Sequence, residues 1–176
     1  MKWIFFSYSL PAKPSKARVY VWRQLKRLGA LSHQSFWILP SSPERVNELK
    51  KLCESINDFH GGSLIIDGGK VLSADQEERI RKIFVESRDE EYQELIYKCD
   101  DFFKEIQSEI DRENFIFAEV EENEEELDKL RLWLKKIEKR DVLGGSKRKA
   151  ANEKVKSCEQ VFEDFARRVY EHQNAR

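Results

Sequence analysis

Residues 3–10, WIFFSYSL, form an apolar and aromatic run without a charge, the pattern of a strand buried on both faces and therefore central to its sheet. Pro11 and Pro14 close it. In the following PSKARVYVWRQLKRLG, Ala17, Val21, Leu25 and Leu28 recur at helical spacing, with Pro14 near the start, Ser15 as the cap and Gly29 as the stop. Two short β-like stretches, 30–34 and 36–39, lead through Pro40 to Ser41-Ser42-Pro43-Glu44, the opening of a second helix. That helix carries Val46, Leu49, Leu52, Cys53 and Ile56 on one side and ends before Gly61-Gly62. Residues 63–67 read as another buried strand, and Gly68-Gly69 as the turn after it. The order β, α, β, β, α, β predicts an α+β fold of the ferredoxin-like split βαβ type, a four-stranded antiparallel sheet with both helices on one face.

From Ser73 the period changes. Ser73 and Gln76 make a capping-box pattern, and Ile80, Ile83 and Phe84 begin a helical stripe that runs on, after a break near 87–89, through Tyr92, Ile96, Cys99, Phe103, Ile106 and Ile110. An insert, 115–120, precedes the acidic run 121–126. Leu127, Leu130, Leu134 and Ile137 then recur at heptad-like spacing, as do Ala151, Val155, Cys158, Phe162, Phe165 and Val169 beyond a Gly144-Gly145 hinge. The expected organisation is a ferredoxin-like domain over 1–72 and a helical region over 73–176, a long helix plus an antiparallel helical hairpin closing into a bundle.

Composition adds that the chain suits an ordered, helix-rich globule: 40% apolar and 37% charged residues, with seven Gly and four Pro among 176. The apolar runs are too short to span a bilayer and no signal-type cleavage site follows them, so the expected location is the cytoplasm, away from membranes. Three widely separated cysteines, Cys53, Cys99 and Cys158, match no zinc or redox spacing and read as free thiols. Charge is near balance in total but uneven in place. Lys2, Lys13, Lys16, Arg18, Arg23, Lys26 and Arg27 precede the first acidic residue, Glu44, leaving 25 basic and 33 acidic residues to the remainder. A basic head on an acidic body points to a polyanionic partner or to the head docking on its own body.

No spacing matches a phosphate-binding loop or dinucleotide fingerprint, and the glycine pairs read as turn punctuation. His33, His60 and His172 belong to no zinc-ligand pattern; Glu121, Glu122, Glu124, Glu125 and Glu126 read as a solvated helix start; Ser7 and Ser9 lack a nucleophile elbow. No catalytic residue, metal site or cofactor is therefore assigned. The remaining signal is the first helix, whose cations accompany Tyr20 and Trp22 and are joined far along the chain by Arg140 and the Lys147-Arg148-Lys149 loop. Phosphate contacts need such cations held in a row. The expected DNA-binding residues are Lys13, Lys16, Arg18, Arg23, Lys26, Arg27, Lys147, Arg148 and Lys149.

SYSLPAKPSKARVYVWRQLKRLGA followed by SFWILP, then FIFAEVEENEEELDKLRLWLKKIEKRD and CEQVFEDFARRVYEH, resemble the amino-terminal domain of ChrB-type chromate-resistance regulators over nearly the whole chain. The resemblance implies a non-enzymatic transcriptional regulator of chromate efflux. Full-length relatives often add a carboxyl-terminal domain that senses the oxyanion; this chain stops where that domain would begin, so no chromate site is assigned to it. More distantly, the head is similar to the small ferredoxin-like nucleases of CRISPR adaptation and to a domain of phenylacetate-degradation repressors. The nuclease resemblance needs a metal-binding aspartate at the end of the first strand, where this chain has Ser7, Tyr8 and Ser9, which disfavours hydrolysis. Such folds pair through sheets or edges, which implies a homodimer. The expected partner is double-stranded DNA; the alternative is an acidic protein surface or a separate sensory protein.

Overall fold

The computed structural model describes residues 1–175 and divides into two compact units, Met1–Phe84 and the chain from Val85 onward, with the boundary inside one helix.

The first unit contains β1 (Trp3–Ser9), α1 (Ser15–Arg27), β2 (Leu31–His33), β3 (Phe36–Pro40), α2 (Pro43–Asp58) and β4 (Gly62–Gly69), followed by the first turns of α3 (Ala74–Asp111). Its four strands form one antiparallel sheet in the order β2-β3-β1-β4. The apolar run thus lies in an interior strand, with Trp3, Ile4 and Phe6 fully buried. Cross-strand register puts Ile4 beside Leu39 and Phe6 beside Trp37 on one face, and Phe5 beside Ile38 and Ile66 on the other. On that second side the Trp3 ring lies 5.4 Å from Phe84 of α3, and its indole N–H donates to Glu77 at 3.4 Å.

Helix α1 buries Ala17, Val21 and Leu25, while Leu28 is only half-buried. Its cap differs from the expectation. Pro14 holds the N-cap position with extended backbone, Ser15 is the first helical residue, and no side chain caps the amino end. Gly29 does stop the helix, at φ 77°, a conformation that disfavours a Cβ. The Ser42 hydroxyl caps α2 by accepting from the Arg45 N–H at 3.2 Å.

The fourth strand is not buried. It is an edge strand whose outward residues Leu64 and Ile66 are 53% and 45% exposed, because only β1 flanks it. Gly68 and Gly69 lie inside that strand as its last residues and do not form a separate turn.

The second unit packs the later turns of α3 with α4 (Phe117–Arg140) and α5 (Arg148–Asn174). Ser73 Oγ accepts from the Gln76 N–H at 3.4 Å ahead of α3, and from there the helix runs unbroken to Asp111. The break expected at 87–89 is absent, since Ser87, Arg88 and Asp89 remain helical while their side chains find partners in place. The core joins Tyr92, Leu95, Cys99, Phe102 and Ile106 of α3 to Leu127, Leu130, Leu134 and Ile137 of α4 and to all six expected apolar positions of α5. Tyr92, Cys99 and Ile106 are buried as expected, whereas Leu95 and Phe102 take the core positions expected of Ile96 and Phe103, which with Ile110 only flank the cluster. Helix α4 begins at Phe117, so 117–120 of the expected insert are helical, the connection after α3 is 112–116, and the acidic run lies inside the helix, after its first turn.

Candidate nucleic-acid interface

The α1 surface follows from its buried stripe. At 3.6 residues per turn, a helix that buries Ala17, Val21 and Leu25 turns Lys16, Val19, Arg23 and Lys26 the opposite way. Lys13, Lys16, Arg18, Arg23, Lys26 and Arg27 are all exposed. From Lys16 to Arg27 the row covers about 16 Å of helix axis at 1.5 Å per residue. Two of the six have partners nearby: Arg18 donates to the Ala12 carbonyl at 2.7 Å, and Arg27 lies 3.6 Å from Glu48, which also binds Lys51 at 2.8 Å. Among the described residues, Lys13, Lys16, Arg23 and Lys26 have no ionic partner. Arg18 also affects the end of β1, where burial raises the Tyr8 hydroxyl pKa and the neighbouring guanidinium partly offsets that rise.

Apolar surface lies between these charges. Trp22 is 49% exposed, Val19 43% and Tyr20 40%, with Tyr20 packed edge-on to Phe59 at 5.8 Å. Val19 escapes a reading based on cations and aromatics. Its signal is its position one turn from Lys16 and from Arg23 on the side opposite the core.

The other three expected residues belong to the second unit and have different surroundings. Tyr92 donates to Asp141 Oδ2 at 3.0 Å, and Asp141 Oδ1 accepts from the Gly144 and Gly145 N–H groups at 3.0 and 2.9 Å, fixing the hinge before α5. Asp89 accepts from Ser146 Oγ at 2.6 Å and from the Lys147 N–H at 2.9 Å, and the Lys147 ammonium donates to Gln93 at 2.6 Å. Arg148 reaches Glu138 at 3.4 Å and Lys149 reaches Glu153 at 3.8 Å. Arg140 is largely buried and pairs with Glu91, which also holds the buried Arg88 at 2.9 Å; burial lowers the Arg88 pKa. These cations hold a helical hairpin, and the signal for it is Asp141 followed by a glycine pair, an Asx-type turn.

Among the described residues, no group of three or more His, Cys, Asp or Glu side chains is arranged to hold a metal ion, and no helix is long and apolar enough to cross a membrane. The family model described as Protein ChrB, N-terminal, matches residues 18–176. The chain belongs to the ChrB amino-terminal family. No curated protein and no solved structure matches it. In this ChrB-type chain the family match begins at Arg18, inside α1, and takes in every expected contact residue except Lys13 and Lys16.

Proposed function

We propose that this chain is a regulatory domain of chromate resistance, without catalytic activity of its own, that binds double-stranded DNA through Lys13, Lys16, Arg18, Arg23, Lys26 and Arg27. The observation that carries the reading is the row of exposed cations on and just before α1, five of the six without an ionic partner among the described residues, in a segment with no acidic residue before Glu44. A solvated helix surface ordinarily mixes charges of both signs; this one is prepared for an anionic lattice. Lys147, Arg148 and Lys149 serve as secondary contacts, since each already has an intramolecular partner. Family membership supports the regulatory role.

The sheet order read from its other edge, β4-β1-β3-β2, together with the chain order βαββαβ, supports a ferredoxin-like first domain, with 1–72 as its functional extent and the helical region from 73 as the second. The exposed edge of β4 supports a homodimer built by strand pairing, and the regulator acts in the cytoplasm.

The test is substitution of Lys16, Arg23 and Lys26 by Glu, with duplex affinity measured against salt. Loss of binding is the expected result; unchanged affinity rejects this surface. A second reading rests on Trp22 and Val19, because exposed Trp beside Arg is also the mark of a protein interface. Under it the partner is an acidic protein surface, such as a separate sensory protein. Co-purification of such a partner, with no retention on DNA, would select that reading.

A further inference from the structure

We propose that Cys99 and Cys158 form a covalent modification site, a buried dithiol that a hydroperoxide converts to an intramolecular disulfide joining α3 to α5. The two residues are far apart in sequence, yet both are fully buried in one core, and the Cys158 sulfur lies 3.9 Å from the Cys99 carbonyl oxygen. The Cys158 S–H donates to that carbonyl, so the side chain of Cys158 meets α3 at Cys99 itself. A lone buried cysteine behaves as a small apolar side chain, but here the sulfur of one cysteine lies against the backbone of the other, which brings two thiols to one place in the core.

The surroundings assign different roles to the two sulfurs. The nearby Cys158 thiol lowers the Cys99 pKa, and the Cys99 thiol together with burial raises that of Cys158. Lys154, one turn before Cys158, stands over the Phe103 ring at 5.0 Å and binds Asp100 at 2.6 Å. Both members of that ion pair are partly exposed, so it marks the solvent side of the thiols. With its S–H held by the Cys99 carbonyl, Cys158 is the protonated, resolving thiol, and Cys99 is the attacking one.

The chemistry balances without a metal. The Cys99 thiolate attacks one oxygen of the hydroperoxide ROOH; the O–O bond breaks, and the alkoxide leaves and takes up a proton as ROH. Cys99 is then a sulfenic acid. The Cys158 sulfur attacks that sulfur, the S–O bond breaks, and water departs with the Cys158 proton. In total two thiols and ROOH give one disulfide, ROH and water, with the thiols oxidised by two electrons and the peroxide reduced by two.

The experiment treats the full chain with hydrogen peroxide and maps its peptides without reduction. The expected result is one linked pair containing Cys99 and Cys158, lighter by two hydrogens, with a urea midpoint that rises and returns on adding dithiothreitol. Cys53→Ser should leave this unchanged, and Cys158→Ser should stop at a dimedone-trapped sulfenic acid on Cys99. Oxidation confined to Cys53, or a link formed only in denaturant, would overturn the proposal. The wild-type map decides the matter even where a variant fails to fold.

Discussion

At the scale of single residues, Tyr92 and Asp141 show how polar groups organise the second unit. Both are buried, and their bond ties α3 to the hinge that starts α5. Tyr92→Phe should destabilise the protein by about 1–3 kcal/mol in urea unfolding, because it withdraws a donor from a buried carboxylate that keeps its two glycine N–H partners. Burial, and then the hydrogen bond to Asp141, raise the Tyr92 pKa above the ordinary value of 10.0. A raised folded pKa stabilises fully below the unfolded value and is lost as pH rises towards the folded one. Stability should therefore decline above about pH 10, with Tyr92 absent from the phenolate absorbance of the folded protein. Ionisation of all five tyrosines before unfolding would contradict this. None of the pairing was legible in the sequence, since 49 residues separate the partners and only the Asp141-to-glycine turn gives a local signal.

At the scale of elements, apolar periodicity carried most of the fold. The α5 stripe lies where the spacing puts it, because six apolar residues at helical intervals leave one face to bury. It failed where a second pattern overlapped the first. Ser87, Arg88 and Asp89 look like a helix end because polar residues interrupt the stripe; Arg88 is nonetheless buried and paired with Glu91, so polarity there marks a partner and not an end. Ser87→Pro tests the point. In a continuous helix it should cost about 3 kcal/mol and lower the helical signal in circular dichroism, whereas a real break would tolerate it. The sequence of β4 misled in the opposite sense, since Leu64, Ile65 and Ile66 read as core although strand order puts them at an edge. Apolar content does not reveal how many neighbours a strand has.

At the scale of the whole molecule, charge asymmetry was fully legible in the sequence, but its use was not. Nine cations look equivalent as letters. In the fold, Lys16, Arg23 and Lys26 stand unpaired on one helix surface, while Lys147, Arg148 and Lys149 already bind Gln93, Glu138 and Glu153. If β4 pairs with β4 of a second copy, the protein should sediment as a dimer and Ile66→Lys should release monomers; a wild-type monomer at high concentration would contradict strand pairing. The measurement that bears most directly on the central claim is fluorescence anisotropy of a labelled duplex from the upstream region of the protein's own gene, beside a scrambled control, across a salt series. Four to six phosphate contacts predict that log affinity falls with log salt with a slope of roughly −4 to −5, that the native duplex is preferred, and that the Lys16, Arg23 and Lys26 to Glu variant lowers the steepness by about 3. Absence of binding at every salt concentration, or binding untouched by those three substitutions, would contradict the account.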